Sequence, residues 1–223
     1  MQIVDLGENA SGCCTVNYLL DESPIFITDN HLAAFWIWHK LDVKSSYTLI
    51  HIDRHYDLAD PKVKSIEIIK ETKWANLDFN SFSNVEVEID GKTHKVIQWD
   101  NYIKSFNILY PDFFKKNIFC TEEHSESLLP NTDEVHLDKL MELCLDEKEN
   151  IILNLDLDFF FTRDSDGKKM IRKYTDDYID KFLEWLNDEK EKFKQIIICL
   201  SPECCGSWEE SKKIKERILE KIK

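Results

Sequence analysis

Glycine and proline are scarce, five of each in 223 residues, which excludes a collagen-like or low-complexity chain. No apolar run approaches the roughly 18–20 residues a membrane helix needs. The longest, such as residues 196–200, have the length of a buried strand. The opening MQIVDLGENASG lacks the basic start and apolar core of a secretion signal, so a cytoplasmic protein without a membrane partner is the expectation. Cysteine is present but unpatterned. There are seven, including the adjacent pairs Cys13-Cys14 and Cys204-Cys205, with no CxxC repeat. This spacing argues against a zinc ribbon or a disulfide framework. Positive charge is short: 29 Lys+Arg stand against 43 Asp+Glu, a net charge of −14. Such a chain repels a phosphate backbone, so nucleic acid is not an expected partner. Basic residues towards the C-terminus, among them Lys190, Lys192, Lys194, Lys212, Lys213, Lys215 and Arg217, are interleaved with Glu and read as solvated helix faces. A cationic substrate suits the charge better.

What the sequence does contain is an alternation of strand-like and helix-like stretches. Residues 24–28 (PIFIT), 47–53 (YTLIHID), 117–120, 150–156 (NIILNLD) and 195–200 (QIIICL) are short apolar runs. Runs of this kind are typical of parallel strands covered on both faces. Residues 31–41, 65–76, 136–144, 175–193 and 208–222 read as helices, the first with Asp29-Asn30 as its N-cap. Residues 85–97 alternate around Asp90-Gly91, a hairpin signal, and form a small insertion beside the sheet. The expectation is one domain over residues 1–223, a three-layer α/β/α fold with a mainly parallel sheet.

Three of the strands run into acidic or imidazole side chains. Strand 47–53 leads to Asp53, His55 and Asp57, strand 150–156 to Asp156 and Asp158, and strand 195–200 to Glu203. Ligands of open α/β sheets bind beyond the carboxyl ends of the strands. Extended backbone would send alternate side chains to one face. Converging carboxylates repel one another, and together with neutral imidazole they are ligands for a divalent metal. The plain alternative is that these are strand-end caps and turn residues. The apolar setting of LDLDFFF argues against it, because two buried, unpaired Asp would be costly. His51, inside a strand, reads as core or as a support for the ligands. His94 and His124 read as surface residues, and Trp74, Trp99 and Trp208 as core or rim aromatics.

The series His31, Asp53-x-His55-x-Asp57, Asp156-x-Asp158 and Glu203 resembles the arginase/deacetylase superfamily. More narrowly, HIDRHYDL, LNLDLDFFF and LSPECCGSW resemble the peptide arginases, over roughly residues 24–60 and 150–210. Peptide arginases convert arginine residues of a ribosomally made precursor peptide to ornithine and release urea. The resemblance implies two Mn2+ per chain. His31 and Asp57 would hold one and His55 and Asp158 the other, with Asp53 and Asp156 bridging. It further implies that Asp158 carries a proton in catalysis and that Glu203 grips the substrate guanidinium. The expected partner is therefore an arginine-containing precursor peptide, with homo-oligomerisation left open. Leu58-Ala59 follow the DxHxD motif where enzymes of free arginine keep polar residues, which favours a peptide over the free amino acid. A ureohydrolase of free arginine or a small guanidino compound, a one-zinc deacetylase-type amidohydrolase and a metal-stabilised binding module remain the alternatives.

Overall fold

The computed structural model describes residues 2–4, 12, 14–122, 128–146 and 150–222. In chain order the strands are β1 (Gln2–Val4), β2 (Leu19–Glu22), β3 (Ile25–Thr28), β4 (Tyr47–Ile52), β5 (Glu86–Ile89), β6 (Lys92–Lys95), β7 (Phe114–Cys120), β8 (Thr132–Glu134), β9 (Ile151–Asp156), β10 (Phe161–Arg163), β11 (Met170–Arg172) and β12 (Phe193–Cys199). The α-helices are α1 (Leu32–Trp38), α2 (Val63–Glu71), α3 (Phe79–Ser83), α4 (Tyr102–Leu109), α5 (Leu137–Glu142), α6 (Asp176–Glu189) and α7 (Trp208–Lys221).

Eight strands form one sheet in the order β1-β2-β3-β12-β9-β4-β7-β8. From β3 to β8 every pairing is parallel, and β1 and β2 add an antiparallel edge. The pairs β5–β6 and β10–β11 stand apart as antiparallel hairpins. The expected hairpin around Asp90-Gly91 is therefore present, and its left-handed turn uses Asp90 (φ 52°) and Gly91 (φ 73°).

Period-two alternation divides the apolar side chains between two cores. Ile50, Ile52, Leu153, Leu155, Ile196 and Ile198 face α5, α6 and α7. Leu49, Phe119, Ile152 and Ile197 face α1 to α4. Helices thus cover both faces of the sheet, the three-layer α/β arrangement expected. α6 shows why these segments become helices. Thr175 Oγ1 caps the Tyr178 N–H, Asp176 and Asp177 oppose the N-terminal dipole, and Ile179, Phe182, Leu183 and Leu186 make one buried stripe.

The order of connections locates a crevice. The chain leaves β4 through α2 to α4 on one face and reaches β7 on the outer side. It leaves β9 through α6 on the opposite face and reaches β12 on the other side. Neighbouring strands whose connections part in this way open a crevice at their carboxyl ends. Asp53 follows the end of β4, and Asp156 ends β9.

Candidate metal centre

Asp53 and Asp156 each close a turn with their own backbone. Asp53 Oδ1 accepts the His55 N–H at 2.7 Å, and Asp156 Oδ1 accepts the Asp158 N–H at 2.8 Å. Such turns, in which an Asp bonds the backbone two residues on, are a property of its short side chain. They correct the expectation that extended alternation aligns these residues. Strand β4 ends at Ile52, Asp57 is left-handed (φ 53°), and Asp158 lies in a 3-10 turn over Leu157–Phe160. The i, i+2 spacing brings the side chains together through turns rather than through the pleat.

His31 reaches the same crevice from the end of β3. Asp29 anchors the approach by accepting the Asn17 and Tyr18 N–H groups, both at 2.9 Å. Asn30 Oδ1 accepts the Leu32 N–H at the start of α1. The N-cap position itself falls on His31, which makes no side-chain cap bond, so the expected Asp29-Asn30 cap is displaced by one residue and Asn30 bonds the first turn from outside the helix. His31 Nδ1 lies 3.1 Å from Asp53 Oδ2, 3.0 Å from Asp57 Oδ2 and 3.4 Å from Asp156 Oδ2. His55 Nδ1 lies 3.4 Å from Asp53 Oδ1 and 3.1 Å from Asp158 Oδ2.

These atoms form two groups able to hold an ion, His31 with Asp53 and Asp57, and His55 with Asp53 and Asp158. Asp53 belongs to both. Asp156 joins His31 and Cys199 in a third group, with Oδ2 3.4 Å from His31 Nδ1. Ser201 Oγ donates to Asp156 Oδ2.

The donor set fits divalent metal in three respects. One Nδ1–H cannot serve three carboxylates, yet three converge on His31 Nδ1. Ligands about 2.1 Å from an octahedral ion lie about 3.0 Å from one another, close to the separations found. The charges also do not balance. All four Asp are buried, and the groups that face them are the imidazoles of His31 and His55, the neutral His51 3.8 Å from Asp53, and the Arg54 guanidinium 3.9 Å from Asp158, at most three positive charges against four carboxylates. Burial and the Asp53 charge push Asp57 up to about 7. Burial, with the charges of Asp158 and Asp53, raises Asp156, and burial with the Asp53 charge raises Asp158. Burial opposes a charge on His55, but Asp158 and Asp53 outweigh it and lift the imidazole to about 11. His31 rises against the same burial through Asp156, Asp53 and Asp57. A divalent cation would replace these strained protonations with direct charge neutralisation.

Beneath the ligands runs a buried polar row that the motif spacing did not reveal. Asn154 Nδ2 lies 2.7 Å from the Tyr102 hydroxyl and 3.1 Å from His51 Nδ1. His51 Nδ1 therefore accepts, and Nε2–H points at the His55 carbonyl 3.3 Å away. Burial lowers His51 to about 4, so it stays neutral. Asn154 left one visible sign, a polar side chain inside the apolar run IILNLD; Tyr102 left none.

A cavity of about 290 Å3 lies over the cluster. Its wall includes Asp29, Asn30, Trp99, Ser201, Glu203 and Cys204 besides the six candidate ligands. Glu203 is exposed at the rim, where Oε1 accepts the Gly12 N–H at 3.4 Å. Trp99 is 37% exposed and stands edge-on to His55 at 5.9 Å. Trp74 is buried against Phe35 and Phe82, and Trp208 is half-buried at the start of α7. His94, on the hairpin strand β6, lies 3.2 Å from Lys62 Nζ and does not line the cavity, and His124 lies outside the described residues. Among the described residues no helix is long and apolar enough to cross a membrane. No protein-family model and no curated protein matches the chain.

Proposed function

We propose that this chain is a dinuclear manganese hydrolase that converts arginine residues of a precursor peptide to ornithine and urea. The observation that carries the reading is the pair of ligand groups sharing Asp53, set at the carboxyl ends of neighbouring strands under an open cavity. His31 and Asp57 would hold one ion and His55 and Asp158 the other, with Asp53 between them and Asp156 turning from His31 to complete the set. When bound, two such ions polarise a water and lower its pKa towards neutrality.

The chain's own groups do the rest. Glu203 at the rim would take the guanidinium in a paired, charge-assisted hydrogen bond. Asp158 would hold the proton that passes to the leaving nitrogen as the C–N bond breaks, leaving ornithine in the peptide and releasing urea. Trp99 would cover the aliphatic stem of the arginine. The acidic cavity favours a cationic group, and Leu58, buried beside the motif, offers nothing to read a free α-carboxylate.

The test is to give the manganese-loaded protein free L-arginine and an arginine-containing peptide side by side. Urea and the mass loss that separates arginine from ornithine should come from the peptide. Faster turnover of free arginine would make this an ordinary arginase, and release of acetate from acetyl-lysine without urea would move it to the deacetylase branch.

A further inference from the structure

The hairpin β10–β11 reverses the charge of the molecule beside its cavity. Residues 161–173 carry Arg163, Lys168, Lys169, Arg172 and Lys173 against Asp164 and Asp166, in a chain of net charge −14. Two of those cations are engaged outside the hairpin, Arg172 with Asp176 and Lys173 with Glu122. The other three line a cleft of about 410 Å3 together with Met170, Gly206 and Glu203. Glu203 is also a wall of the cavity over the metal ligands, so the cleft and the cavity adjoin. Met170, in the wall of the cleft, has its Sδ 3.9 Å from Arg54 Nη1.

The turn that presents these cations is held in shape. Asp164 Oδ1 accepts the Lys168 N–H at 2.7 Å, the Asp164 carbonyl accepts the Gly167 N–H at 2.9 Å, and Arg163 Nη1 donates to the Gly167 carbonyl at 3.2 Å. Gly167 has φ 68°, which a side chain would strain. The Asp164 carboxylate is thus committed to the backbone. Asp166 lies 3.9 Å from Lys168 in a solvent-exposed pair, which is weak.

We propose that this hairpin docks the acidic flank of the peptide whose arginine enters the cavity. The inference rests on the reading of the cavity as a peptidyl-arginine site. It names a substrate class: an arginine with carboxylates a few residues away. The preference is the opposite of what net charge gives, since a chain of −14 draws basic peptides. Only a local patch, felt within a Debye length of about 8–10 Å, can invert it.

The experiment uses three fluorescent peptides of equal length, each with one arginine, flanked by Glu, Ser or Lys. Binding to the manganese-loaded full chain is read by anisotropy, with urea measured in the same samples. The Glu-flanked peptide should bind about tenfold more tightly than the Ser-flanked one, as two or three exposed ion pairs allow. The variant K168E/K169E should lose that preference, with unchanged affinity for the Ser-flanked peptide and unchanged manganese content. K168Q/K169Q, which adds no charge to the turn, should fall between the two. Equal binding of the Glu- and Ser-flanked peptides, tightest binding of the Lys-flanked one, or a Glu preference that survives K168E/K169E would overturn the proposal. Displacement of the Glu-flanked peptide by a short single-stranded RNA at equal concentration would give the hairpin to nucleic acid instead. A Glu preference without urea would leave the docking surface standing and remove the ureohydrolase reading, whereas urea without flank preference would do the reverse.

Discussion

Asp53 lies within ligand distance of both imidazoles, so its replacement by alanine removes the one carboxylate that both ligand groups need. Asp53→Ala should bind no manganese tightly and should have no measurable activity. Its metal-free form should unfold at a lower temperature than wild type, because Asp53 pairs with both imidazoles and closes the turn at His55; elemental analysis and thermal unfolding check the two halves. Glu203→Gln should behave differently. It keeps the size and loses the charge, so manganese content should stay at the wild-type level while urea release falls by an order of magnitude or more, the cost of removing one partner of a charge-assisted pair. The imidazoles add a pH dependence. His55 is held near 11 and His31 is raised, so both carry protons at neutral pH without metal and must lose them to become ligands. Manganese should therefore displace at least two protons per chain, with a further contribution from Asp57, held up to about 7, and from the raised Asp156. Affinity should weaken as the pH falls, and an indicator dye in weakly buffered solution would record the release.

The elements explain why these residues could be found in the sequence while their geometry could not. The buried strands β4, β9 and β12 are apolar runs that end on Asp53, Asp156 and the Ser201-Pro202-Glu203 segment, and the rule that ligands gather at strand carboxyl ends then points to the site. The turns at Asp53 and Asp156 follow the same spacing as an extended strand and cannot be told from it by periodicity. β8 is only Thr132–Glu134, without an apolar residue, and β2, between β1 and β3, is half polar (LLDE), so neither carries a strand signal. α3 and α4 are short and gain their stability from packing Phe82 and Phe106 against Phe35, a tertiary effect. α4 also delivers Tyr102 to Asn154. Asn154→Leu, nearly the same volume, should leave the strand intact but release His51 from its orientation. Manganese affinity should drop about 10–100-fold, the usual effect of losing support behind a ligand, as measured by metal titration, with the far-UV spectrum unchanged. Asp156→Asn should separate the two duties of Asp156, keeping the turn through its remaining oxygen and losing the charge.

The molecule as a whole is an α/β sandwich with one strongly acidic crevice, and its fold class was legible because strand and helix signals alternate along most of the chain. Glu203 is legible in position but not in exposure. The strand-end rule placed it beside the site, but not how exposed it would be, since rim position depends on the turn after β12 and on Gly12 across the cavity. A fold that gathers four carboxylates at one point should be stabilised by metal. At a free concentration near a thousand times the dissociation constant the gain is about 4 kcal/mol, so a chelator should lower the unfolding temperature and manganese restore it. The measurement that bears most directly on the central claim is the number of manganese ions held by the chain after metal-free protein is saturated and the excess removed. Two per chain, falling to one in both His31→Ala and His55→Ala, is the result the shared Asp53 predicts. A single ion that survives either substitution would contradict it.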